Sequence, residues 1–186
     1  MSKEFDGIDD DDFCRLAQMS REAMRAEESR IKQHLWPNPR PHEAALHPYE
    51  NALAFELARQ LSDDGGISLP HAFVQVSYAS AVEQFLSADR DSDQWMAVME
   101  SRNDWGRDQR ESYPSFPATS FGPGEYWSKA RFFGSFGDVM IKIGARIYQE
   151  SMETPEPDPA RIILANVSAA DRRLRKRAAE LGISLP

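Results

Sequence analysis

Cysteine is almost absent: Cys14 is the one thiol in 186 residues, so no disulfide can form within the chain. There is no CxxC pair, no glycine-rich phosphate loop and no dinucleotide fingerprint, which leaves thiol redox, phosphate-loop and nicotinamide chemistry without a sequence motif. Long apolar runs are missing too. The mean hydropathy is -0.59 and argues against a membrane span, and the start, "MSKEFDGIDDDDF", holds no apolar core of signal-peptide length. Together with the lone cysteine these absences point to a soluble protein, expected in the cytoplasm. Positive charge is in deficit: 22 basic residues face 30 acidic ones, a net -8. That balance disfavours nonspecific attraction to nucleic acid or anionic lipid and would steer a basic protein toward this one.

What is present reads as helix. At this length the chain is most simply one domain, 1–186, able to bury about 70% of its unfolded surface without a metal or disulfide. Residues 1–9 are expected to be a flexible acidic start. Phe13, Leu16, Ala17, Met24, Ile31 and Leu35 recur at helical spacing, giving a helix over 10–35 whose leading carboxylates suit a helix N-terminus. A second helix begins near Pro48 and stops at "SDDGG", and a third spans 71–88. Residues 93–105 read as a helix packed through Trp95, Met96, Val98 and Met99. The widest apolar face lies on 125–150, which reads as a central helix, with Gly137 and Gly144 seven apart where another helix would approach closely. The last helix is expected to run from an Asp158 N-cap to Gly182. The fold class is therefore mainly α, a single-domain bundle of about five to seven helices, interrupted by a long loop at roughly 106–124 that carries aromatics.

Each chemical motif meets an objection. In "DRDSDQWMAVME", Asp89, Asp91, Asp93 and Glu100 take positions 1, 3, 5 and 12 of a calcium-binding helix–loop–helix site. Position 6 needs glycine and is Gln94, at a cost of about 1 kcal/mol, and no second loop of this kind exists. "HEAALH" puts His42 and His47 five apart, about 140° around a helix, where a zinc site needs four, and His34 and His71 lie apart in sequence. "FGSFG" (133–137) is one glycine short of a serine-hydrolase elbow and reads as lying inside a helix. Cys14 follows Asp9 to Asp12, whose charge raises a thiol pKa, so it reads as a packed, inert cysteine. "DRRLRKR" (171–177) reads as a solvated helix face, with a nucleic-acid patch or a match for the acidic start as the other options.

Without catalytic motifs, the expectation is a binding protein rather than an enzyme: an acidic module, of the kind an immunity protein or antitoxin would be, that occludes a basic toxic enzyme. No cofactor is expected beyond a weak calcium candidate. The alternatives are a helical enzyme with a site assembled from distant residues, and the calcium-binding helix–loop–helix protein. The expected contact surface comprises Tyr113, Phe116 and Phe121 of the loop, Tyr126 and Trp127 at its edge, and Asp89, Asp91, Asp93, Asp104 and Asp108. Replacing Tyr113, Phe116 and Phe121 with alanine is expected to weaken partner binding by roughly tenfold or more in a calorimetric titration. Unchanged affinity would remove the loop from the interface.

Overall fold

The computed structural model describes residues 7–31, 36, 46–88, 92–103, 126–153 and 158–186. Among these the chain is mainly helical, with seven helices, and adds two small antiparallel sheets that the helical periodicity does not announce.

The acidic start is structured earlier than expected. Ile8–Asp9 form β1, which pairs antiparallel with β2, Leu46–His47, and Ile8 is buried. Gly7 sits at φ +128°, and a Cβ there would meet Leu46 Cβ at 2.8 Å. Asp9 caps α1, Asp10–Ala17, by accepting from the Asp12 amide at 2.8 Å, and three aspartates fill the first turn where the helix dipole favours them. The single helix expected over 10–35 is broken: Gln18 turns left-handed at φ 54°, and Ser20 caps a new helix α2, Arg21–Arg30, by accepting from the Ala23 amide. Serine competes well for helix N-termini, and here that local choice overrides a continuous apolar stripe.

Helix α3, Tyr49–Gly65, occupies the centre. Every residue from Tyr49 to Ala58 except Glu50 is buried, and the helix ends on left-handed Gly66, as the glycine pair implied. The expected 71–88 helix is two, α4 (Leu69–Tyr78) and α5 (Ala81–Ser87), divided at Ser80 with φ 45°.

Three further expectations are corrected together, because they belong to one sheet. Residues 94–103 are strand β3 rather than a helix; 126–135 are β4, with helix α6 starting only at Phe136 and running to Glu153; and 158–166 are β5, with α7 covering Val167–Leu181. The strand order is β4-β3-β5, antiparallel throughout, and the β3–β5 register shifts between Glu100 and Ser101, where β5 carries one extra residue, Ala160. β3 is buried on both faces, so it lacks the polar alternation of a half-exposed strand, and an apolar run of that length does not distinguish strand from helix. Met96, Val98, Ile163 and Ala165 join the large core formed with α1 to α5 and α7. Ala97 and Met99 face the other way, into a small second core with Val139 and Ile143 of α6. Helix α7 is capped by Asn166, which accepts from the Ala169 amide, and ends on left-handed Gly182 as expected.

Met96 is fully buried between β3 and the central helices. Met96→Ala is expected to lower unfolding free energy by about 2–5 kcal/mol in a denaturant titration, with the helical circular-dichroism signal kept.

Candidate functional site

Helix α6 exists because Ser135 starts it. The Ser135 hydroxyl accepts from the Asp138 amide at 3.2 Å and donates to Asp138 Oδ2 at 2.7 Å, a reciprocal cap. Just before it Gly134 takes φ +148°, which no side chain tolerates well, so the chain leaves the sheet there and folds back over it. This corrects the reading of "FGSFG": strand does precede the motif and helix does follow it. Ser135, however, spends its hydroxyl on Asp138, and neither described histidine has it as a partner, since His47 bonds to Asp10 and His71 is exposed.

At 100° per residue, α6 presents three flanks. Val139 and Ile143 point into the sheet and are buried. Asp138 and Lys142 lie along β4, where Lys142 Nζ donates to the Phe133 carbonyl at 2.8 Å. The third flank, with the outward side, carries Phe136, Met140, Ile141, Tyr148 and Met152, all between 43 and 73% exposed. Gly137 and Gly144 share this region, and among the described residues a Cβ at either would meet nothing within 4 Å. The expectation that these glycines bring a helix close within the fold is therefore corrected. Of the apolar face read over 125–150, Tyr126, Ala130, Phe132 and Phe133 belong to β4, and the part that lies on α6 is covered by described residues on one side.

The sheet beneath is covered unevenly. Helix α6 packs chiefly on β4 and β3. On β5 the same sheet face shows Ile162, which is exposed, and Leu164, which is partly buried. Trp95 and Phe136 meet edge to face at 5.1 Å between ring centroids. The result is an apolar shelf: α6 on one side, Ile162 and Leu164 along the other. Apolar side chains gathered on one exposed face, rather than scattered singly, are a feature of interaction surfaces.

The residues expected from sequence separate. Tyr113, Phe116, Phe121, Asp89, Asp91, Asp104 and Asp108 lie outside the described residues. Asp93 and Tyr126 sit at opposite ends of the β3–β4 ladder, since Gln94 pairs with Ser135 and Asn103 with Tyr126, and Trp127 pairs with Arg102. Nine residue steps of strand put about 30 Å between those ends. Asp93 is held by Arg172 Nη1 at 2.6 Å and by Asn166 at 3.0 Å; these hydrogen bonds, Arg172 first, keep its carboxyl well below the usual range. Glu100 is buried and bonded to Arg161 Nη2 at 2.6 Å. The two described members of the calcium spacing thus face arginines, and the helix expected after the loop is β3. Among the described residues no three His, Cys, Asp or Glu side chains gather as a metal site would require. Cys14 is buried, and burial first, then Asp10, raises its thiol pKa, in keeping with an unreactive side chain.

The basic run has an internal use that the sequence could not assign. Arg172 takes Asp93, Arg173 and Arg177 both take Glu56, and Arg175 takes Asp171, while Arg177 also donates to the Leu16 carbonyl. Tyr49 donates to Asp171 beneath the Arg175 guanidinium. Lys176 is the most open cation of the run, 3.9 Å from Glu180. The acidic start is likewise committed, Asp10 to His47, Asp11 to Arg21 and Asp12 to Arg15. The cavity beside Glu56, lined also by Phe13, Phe55 and Leu174, measures about 10 Å³, space for one water.

Glu56 anchors this network, and its removal strands Arg177 in a poorly hydrated position. Glu56→Ala is expected to destabilise the fold by about 3 kcal/mol in denaturant unfolding, with Glu56→Gln milder because hydrogen bonds survive. No known protein family model, no curated protein and no solved structure matches this chain.

Proposed function

We propose that this chain is a protein-binding module whose contact surface is the outer flank of α6 with the adjoining strip of β5. The supporting observation is the set of five large apolar side chains, Phe136, Met140, Ile141, Tyr148 and Met152, held open on a single helix beside two unobstructed glycines. Such a helix fits a partner's groove or lies against a partner helix, and the glycines let the backbones come near. The net charge of -8 selects a basic partner and speeds its approach.

The finer form of the proposal is an immunity- or antitoxin-like inhibitor that occludes a cationic enzyme. In it the labour is divided. Dispersed carboxylates steer the encounter, while the apolar flank slows release, because desolvated anchors dominate off-rates. Asp93 contributes little to this, since its charge is already matched by Arg172.

Ile141 and Met152 project into solvent, so charged substitutions there leave the core untouched. The expected outcome for the Ile141→Asp, Met152→Asp double variant is an unchanged melting temperature with at least a tenfold loss of affinity for the basic protein that the wild-type chain retains from its native lysate at moderate salt. Equal retention of that protein by both chains would remove α6 from the interface.

A further inference from the structure

Most of the described arginines that are not fully exposed sit against a carboxylate, and Arg131 does not. Arg161, Arg172, Arg173, Arg175 and Arg177 each lie within 3.3 Å of a Glu or Asp oxygen. Arg131 is half-buried on β4, its Nε donating to Gln75 Oε1 at 2.8 Å and its guanidinium carbon 5.2 Å from the centroid of the Tyr78 ring. Both neighbours are neutral. Among the described residues no carboxylate reaches Arg131, and its Nη1 and Nη2 carry no hydrogen bond. Desolvation by burial lowers its pKa from the usual arginine value, opposed only by Tyr78.

The side chain is nevertheless held as if for a purpose. Gln75 is 1% exposed and cannot swing away, so the Nε contact fixes the guanidinium plane, and the Tyr78 ring covers one face of it. What remains is the edge bearing the two Nη groups, a fork of parallel donors matched to two oxygens of one anion. Tyr78 is itself exposed, so the position opens to solvent. Gln75 and Tyr78 both belong to the last turn of α4, whose carbonyl end supplies at most about half a negative charge. That offsets part of the cation and leaves the rest uncompensated.

We propose that Arg131 is the anchor of an oxyanion-binding site, taking a carboxylate or phosphate group end-on through Nη1 and Nη2, with Gln75 and Tyr78 as positioning residues. The site lies on the opposite face of the sheet from α6: Ala130 and Phe132 pack beneath that helix, whereas Phe133, two residues from Arg131, belongs to the large core. It is therefore independent of the proposed protein-binding flank.

The test is thermal unfolding in sodium phosphate and in sodium succinate, each against sodium chloride at equal ionic strength. The expected result is a saturable rise in melting temperature of about 2–5 °C in at least one arm once the anion exceeds its Kd tenfold. Which arm responds identifies the oxyanion. Arg131→Met is expected to abolish the rise and, by removing an unmatched charge, to melt no lower than wild type in chloride. If that variant does not fold, Tyr78→Ala, altering an exposed ring, is expected to weaken the anion response at least severalfold. No saturable rise in either arm, or a rise that survives Arg131→Met or is undiminished by Tyr78→Ala, overturns the proposal.

Discussion

Five residues of β3, Trp95 to Met99, have to be covered on both faces, and most of the architecture is a response to that demand. Met96 and Val98 turn into the large core on the side of α7, while Ala97 and Met99 turn toward α6. A two-faced strand requires partners on both edges as well, which β4 and β5 supply, and the ladder continues to Asn103 on the β4 side. The inner apolar face stops at Glu100. Its carboxylate is buried against Arg161, whose Nη1 reaches the Gly65 carbonyl and ties the end of the central helix to the sheet.

Around this apolar centre many of the charges pair with one another, and a few, Glu56, Glu100 and Asp171, are buried. Helix α7 lies across α1 and α3 and presents arginines to each, so a run of positive charge that looks external acts as a clasp. Arginine suits the role because one guanidinium satisfies two acceptors at once, as Arg177 does through Nη1 with the Leu16 carbonyl and Glu56. The pairing also makes the acidic composition a poor guide to the surface, since part of it is already neutralised at short range.

Much of the helical framework was legible in the sequence. The burial of Phe13, Leu16 and Ala17, the central run from Leu53 to Leu61, the glycine stops at Gly66 and Gly182 and the buried thiol of Cys14 all follow from spacing and end signals. The sheet was not legible. β3 shows no alternation because neither face is wet, and "EYWSKARFFGSF" continues the helical stripe of α6 so well that the boundary is invisible to periodicity. The local signals that would have placed it were Gly134, followed by Ser135 three residues before Asp138, and likewise Asn166 three before Ala169. The candidate surface was half visible. That apolar residues recur along α6 was plain, but how many of the 125–150 stripe belong to β4 instead, and which side of the helix stays uncovered, depend on the sheet and on β5, far along the chain. Arg131 carried no sequence signal, since its distinction is the absence of a carboxylate in three dimensions.

The smallness of the second core has a dynamic consequence. Among the described residues, four buried ones, Ala97, Met99, Val139 and Ile143, with a few partly buried neighbours, hold α6 to the sheet, against some thirty in the main core. Local opening free energies follow buried contact, so α6 is expected to open below the energy of global unfolding. Its amides would then exchange with solvent ahead of those in α3. A ligand that covers the helix and does not touch the rest of the fold would slow that exchange selectively, which makes α6 a natural reporter of its own occupancy.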